Sequence, residues 1–192
     1  MKTAIVTFAL GQRYLEQWTR MCRKGWRAYC DRHGYDLIAL QQPLDTSARA
    51  CARSPAWQKL LVLGQPWAAS YDRIVWVDSD VCINPIAPSI IDGVPEQKIG
   101  AVDELSYPTV ASRQAVVRSW GGNESDLVDA TSYHSRVGLR GEQRHIVQTG
   151  VMVLSPRYHR DTLNMSITSM RTPGRLSITK CDSFRMKSSD VI

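Results

Sequence analysis

No apolar stretch of this 192-residue chain approaches the roughly 20 residues that cross a bilayer, so no membrane-spanning helix is expected. The opening Met1-Lys2-Thr3-Ala4-Ile5-Val6-Thr7-Phe8 has one charge and too short an apolar run for a secretory signal, and it reads as a first strand. The five cysteines (Cys22, Cys30, Cys51, Cys82, Cys181) are odd in number and show neither C-x-x-C spacing nor a histidine cluster. That argues against a zinc site and for reduced thiols in a cytoplasmic protein. His134, His145 and His159 lack metal-ligand spacing and read as ordinary polar residues. No internal repeat and no interdomain linker is visible. With 43% hydrophobic residues, the length suits one domain with a sizeable core.

A net charge of +6 invites a nucleic-acid partner, but its distribution argues against one. Seven of the 24 basic and three of the 18 acidic residues lie from Pro156 onward. This leaves 17 and 15 before it, close to balance, and no strand shows stacking aromatics on a basic face.

Strands are expected at 3–9, 36–40, 73–77, 98–102 and 145–154, from short β-branched or apolar runs bounded by turn residues. An amphipathic helix is expected over 14–32, where Leu15, Trp18, Cys22, Trp26 and Tyr29 recur at three- and four-residue spacing. Arg20, Arg23, Lys24, Arg27 and Arg32 fall mostly on its other side, either as a solvated face or as a peripheral contact with anionic lipid or acceptor. Gly34 is placed to cap this helix. Ser54-Pro55 opens a second helix carrying Trp57, Lys59, Leu60 and Leu63, in the usual order of cap and first-turn proline. Residues 105–144 read as a long polar excursion containing a short helix. Strands alternating with helices predict an α/β fold with a mostly parallel sheet, whose ligands sit at the carboxyl ends of the strands.

The strand Arg73-Ile74-Val75-Trp76-Val77 ends in Asp78-Ser79-Asp80. With period-two alternation continuing, both carboxylates would project to one side. A hard divalent cation is commonly held by one or two carboxylates plus substrate phosphates, so the pair points to Mn²⁺ or Mg²⁺ with a phosphate-bearing ligand. Alone, the pattern is also that of a polar turn after a core strand.

Four short motifs in order carry a resemblance: His33-Gly34-Tyr35-Asp36, Trp57-Gln58-Lys59, Trp76-Val77-Asp78-Ser79-Asp80 followed by Asn84-Pro85, and Gln148-Thr149-Gly150-Val151. Together they resemble glycosyltransferases of the GT-A architecture, a Rossmann-like, nucleotide-sugar-binding fold, and within it the retaining galactosyl/mannosyl/xylosyl transferase family. The resemblance implies transfer of a hexose or pentose from a UDP- or GDP-linked donor to a glycan or lipid-linked acceptor. It implies that Asp80 binds the metal and that Asp78 holds ribose or metal. Ser79 joins them in the donor site. Thr7, Phe8 and Ala9 would cradle base and ribose mainly through backbone groups, with core packing the plainer reading of Phe8. Lys59 would add positive charge at the diphosphate or stand as an exposed helix lysine. Asp103 would accept hydrogen bonds from sugar hydroxyls or be a plain strand-end acid. Gln148, Thr149 and Gly150 would line the donor sugar, with Gln148 standing where the family more often has Asn. A retaining transfer in which the leaving phosphate accepts the acceptor proton needs no strong enzymic base.

The resemblance covers residues 1–163 and stops there, leaving 164–192 as an atypical polar and basic tail. Back-translated with free choice of degenerate bases and read from the third base of the Leu163 codon, the tail yields a string similar to the family's next segment. The expectation is a frameshift near Leu163 and an out-of-frame tail. Two other readings are an inactive nucleotide-binding remnant and a double-aspartate phosphotransferase. The latter wants Thr or Val where this chain has Cys82, and places its pair after an early strand.

Overall fold

The computed structural model describes residues 1–104, 109–122, 129–135, 138 and 140–169. Residues 170–192, most of the expected tail and Cys181 with it, lie outside the described residues. A five-stranded sheet forms the centre: β1 (Thr3–Phe8), β2 (Asp36–Leu40), β3 (Arg73–Val77), β4 (Gly100–Asp103) and β5 (Val147–Leu154), in the order β2-β1-β3-β5-β4. Among the described residues the helices are α1 (Gln12–Met21), α2 (Arg23–His33), α3 (Ala48–Cys51), α4 (Val110–Ser119), α5 (Ala130–Ser135) and α6 (Pro156–Ser169). Two tight 3₁₀ helices, Pro55–Gly64 and Pro66–Ser70, lead into β3.

The sheet is mixed, which corrects the expectation of a mostly parallel one. β1 pairs in parallel with β2 and β3, while β5 runs antiparallel to both of its neighbours, β3 and β4. The cause is the connection. After β4 the chain re-enters the sheet at the same end it left, as the register Asp103↔Val147 requires, whereas a parallel partner needs a crossover to the opposite end. Strand-length apolar runs announce β5 without announcing its direction.

Both faces of the sheet are covered, so the central strands read as mostly apolar runs, with Thr3, Thr7 and Arg73 as buried polar exceptions. On one face Ala4, Val6, Ile74, Trp76, Met152 and Leu154 pack with Leu60, Val62 and Leu63 of the first 3₁₀ helix and with Leu163 of α6. On the other, Ile5, Val75, Val77 and Val153 pack with Trp18, Cys22, Trp26, Tyr29 and Cys30. The expected long first helix is broken at Cys22 into α1 and α2. Gly34 ends α2 in the left-handed conformation at φ 68°, as its capping position requires. Helix α6 continues through Leu163, which is fully buried, to Ser169.

No helix connects β3 to β4. Residues 78–99 cross over in turns, held to α2 by side chains. The Tyr29 hydroxyl donates to the Pro88 carbonyl (2.9 Å) and accepts from the Ile90 amide (2.8 Å), and a ring nitrogen of His33 lies 3.0 Å from the Ala87 carbonyl. Below the sheet, the buried Arg73 guanidinium donates to the carbonyls of Val94 and Pro95 and to the Ser155 hydroxyl. Burial lowers its pKa. No helix among the described residues is long and apolar enough to cross a membrane.

Candidate functional site

The carboxyl ends of β1 and β3 open into a cleft of about 350 Å³. Its walls come from the end of β1 (Phe8, Leu10), from α1 (Tyr14, Gln17), from the start of the first 3₁₀ helix (Ser54 to Ala56, Lys59) and from Trp76, Asp78, Ser79 and Asp80. The volume is within the range of small-ligand sites.

Ser54 opens the 3₁₀ helix, its hydroxyl accepting from the Ala56 amide at 3.4 Å, and the tight winding carries Lys59 inward. Lys59 is buried, which removes the alternative of an exposed helix lysine. Its ammonium bonds both carboxylate oxygens of Asp78 (2.9 and 3.2 Å) and the Thr149 carbonyl (3.1 Å), and it lies 5.4 Å from the centroid of the Trp76 ring. Trp76 Nε1, a second donor, gives Asp78 its third hydrogen bond, at 2.7 Å. A cation, an indole and a half-buried carboxylate thus form one unit at the inner end of the cleft. Phe8 meets Trp76 edge-on, centroids 5.1 Å apart, and so packs on the core and lines the cleft at once.

The Asp78 amide makes the last ladder bond of β3, to the Gly150 carbonyl at 2.7 Å. The chain then turns, with the Val81 amide bonding the Asp78 carbonyl at 3.1 Å. The pleat ends at Val77, so the turn and not strand alternation brings Asp78 and Asp80 to the one cleft that both line. Asp80 is exposed at the outer lip, while Asp78 is held inside.

Gly150 lies against this unit. A Cβ there would fall 2.8 Å from Gln148 Oε1 and 3.3 Å from Asp78 Oδ2, so the absence of a side chain lets β5 approach. Gln148 turns back along its own strand, its Oε1 accepting from the Gly150 amide at 2.5 Å. Thr149 reaches the site through its carbonyl. Thr7 and Ala9 are fully buried and are not among the lining residues, and the Ala9 amide already bonds the Leu40 carbonyl at 2.9 Å. Asp103 sits across the sheet on edge strand β4. It accepts from the Ile146 amide (3.2 Å) and pairs with His145 Nδ1 (3.1 Å).

Sequence reasoning missed Tyr14 and Gln17. Their signal was the register of α1: Tyr14 stands one turn before the buried Trp18 on the same side of the helix, yet leaves a large ring 60% exposed beside the cleft. It also missed Trp76 as a polar partner, since a tryptophan in a core strand advertises its ring before its N–H.

Among the described residues, no group of three or more His, Cys, Asp or Glu side chains forms a metal cluster. The donor chemistry nevertheless fits a hard cation held mostly by ligand oxygens. Asp80 is exposed at the cleft lip with an acceptor-only carboxylate, and such an ion takes as few as one protein carboxylate beside phosphates. Asp78 is committed to Lys59 and Trp76.

The chain has the fold of GT-A glycosyltransferases. It superposes on a glycosyltransferase involved in glycosylation of the major capsid of PBCV-1 with a TM-score of 0.50 and 15% identity, covering 88% of this chain and 68% of that one. The galactosyltransferase LgtC, solved with donor and acceptor sugar analogs, gives 0.53 and 14%, covering 86% and 63%. The bifunctional glycosyltransferase WbbM gives 0.50 and 11%, covering 88% and 34%. No family model and no curated protein matches the sequence.

Proposed function

We propose that the cleft binds a nucleoside-diphosphate sugar, UDP- or GDP-linked, and that the protein transfers its hexose or pentose to a glycan or lipid-linked acceptor with retention. The observation that carries this reading is the Lys59–Asp78–Trp76 unit at the carboxyl ends of the strands, with Asp80 at the lip. Lys59 offers the diphosphate a cation whose position Asp78 fixes in advance, an electrostatic contribution needing no reorganisation on binding. Asp80 would hold Mn²⁺ or Mg²⁺, which when bound neutralises charge on the departing diphosphate. Ser79 adds a hydroxyl between the two acids. The Phe8 ring forms the wall behind base and ribose, and the buried Thr7 and Ala9 hold it in place from either side along the chain. Thr149, Gly150 and Gln148 border the donor sugar, and Asp103 with His145 marks the side toward its hydroxyls. The protein works in the cytoplasm in this reading, with the exposed basic residues Arg20, Arg23, Lys24 and Arg27 as a peripheral contact for an anionic membrane holding the acceptor.

Calorimetry with UDP and GDP, with and without Mn²⁺, on this chain and on Asp80→Ala tests the reading. Metal-dependent binding lost in the variant supports it. A folded protein that binds neither nucleotide refutes it. A second reading, nucleotide binding without turnover, is favoured by the engagement of Asp78, which leaves Asp80 as the one outward carboxylate of the pair. Hydrolysis of the sugar nucleotide separates the two. In the same reading residues 164–192 are an out-of-frame tail, which sequencing the gene across the Leu163 codon checks. An uninterrupted frame in close relatives overturns that part alone.

A further inference from the structure

The turn after β3 carries Cys82 to the break between α1 and α2, where its sulfur lies 3.9 Å from that of Cys22. Cys22 is buried and Cys82 is exposed. The backbone is docked on both sides of Cys82. Trp26 Nε1 donates to the Val81 carbonyl at 2.9 Å, and the Ile83 carbonyl approaches Gly25 so closely that a Cβ there would stand 2.9 Å from it. Disulfide sulfurs stand about 2.0 Å apart, so a bond asks the two sulfurs to close only the remaining part of a 3.9 Å gap. The two cysteines are 60 positions apart in sequence, and no spacing rule brings them together.

We propose that Cys22 and Cys82 form a modification site that takes a disulfide from a low-molecular-weight disulfide, fixing the turn that presents Asp80. The exposed Cys82 sulfur attacks one sulfur of the small disulfide, breaks its S–S bond and releases one small thiol. Cys22 then attacks the Cys82 sulfur of the mixed disulfide, and the second small thiol leaves. The two cysteines give up two electrons and two protons, and the small disulfide receives both. Cys82 supplies access. Cys22 is the buried partner that resolves the mixed species. Any effect on nucleotide binding rests on the proposed donor site; the bond itself does not.

The test is incubation of the full chain with glutathione disulfide, followed by intact mass and a non-reducing peptide map. The expected product has lost two hydrogen masses and yields a peptide linking Cys22 to Cys82. Cys22→Ser should stop at glutathione attached to Cys82, and Cys51→Ser should leave the link unchanged. Hydrogen exchange of amides 79–83 should slow on oxidation of the wild type. A wild-type product that ends as the mixed disulfide, or links Cys82 to another cysteine, overturns the site. Unchanged exchange at 79–83 overturns the fixing of the turn. If Cys22→Ser does not fold, Cys82→Ser serves instead, and any remaining link to Cys22 counts against the proposal. UDP binding is measured on both forms in parallel, and its absence from both refutes the nucleotide reading while the disulfide result stands.

Discussion

Asp78 and Asp80 are two residues apart and occupy opposite chemical settings. The inner carboxylate is fixed by an ammonium and an indole, and its backbone amide by a ladder bond to β5; the outer carboxylate stands in solvent on a turn. A motif written as a symmetric pair therefore divides its labour. Asp78 organises the cleft floor and holds Lys59 in place, while Asp80 is the group open to a ligand or an ion. Stability belongs to the first and ligand response to the second, and substitutions can separate them.

The largest effect is expected from Asp78→Asn, which leaves the buried Lys59 ammonium without its anion. Because Asp78 is 38% exposed, the loss should fall below that of a fully buried pair, at about 2–3 kcal/mol, read from urea unfolding. Gly25→Ala acts on the outer turn from behind, pressing a methyl against the Ile83 carbonyl. The expected cost is about 1–2 kcal/mol in the same assay, since backbone must move. Asp80→Asn should change stability by no more than about 0.5 kcal/mol. It should nevertheless weaken nucleotide binding in Mn²⁺ by about tenfold or more, the scale of one contact to a charged group. An Asp80 variant that unfolds as readily as the Asp78 variant would erase the contrast.

The smallest effect concerns pH. Burial raises the Cys22 thiol from 9.0 to about 11, with the Cys82 contact and Asp80 adding to the shift, and burial does the same for Cys30. The folded state then holds protons that the unfolded chain releases, so this contribution is intact below pH 9 and is lost as pH rises toward 11. Denaturation midpoints between pH 8.5 and 10.5 should fall, and less steeply in Cys30→Ser.

How much of this was readable beforehand depends on whether a feature is local. The bounds of β2 and β3 follow from short runs closed by turn residues, and Gly34 and Ser54 cap as their positions predict. The orientation of β5 was not legible, because the excursion before it decides the direction and strand residues are indifferent to it. Nor was the partner of Lys59 legible. A lysine on a helix reads as solvated until the tight winding of 55–64 and the approach of Gly150 bring it over Trp76. The crossover at 78–99 has no periodicity to read, since its order comes from α2 side chains far away in sequence. Tyr29 looked like a core aromatic, and it is also the clamp on Pro88 and Ile90.

Arg73 lies at the end of the sheet away from the cleft, where one guanidinium joins the approach to β4 to the entrance of α6. Lost, it would leave two carbonyls and a hydroxyl without their donor in a dry interior. In a cellular mutational screen, position 73 should thus register as a loss of protein abundance, with ligand affinity per folded molecule preserved. Position 80 should register the reverse, and a two-axis screen would find the functional end of this molecule without knowledge of its substrate.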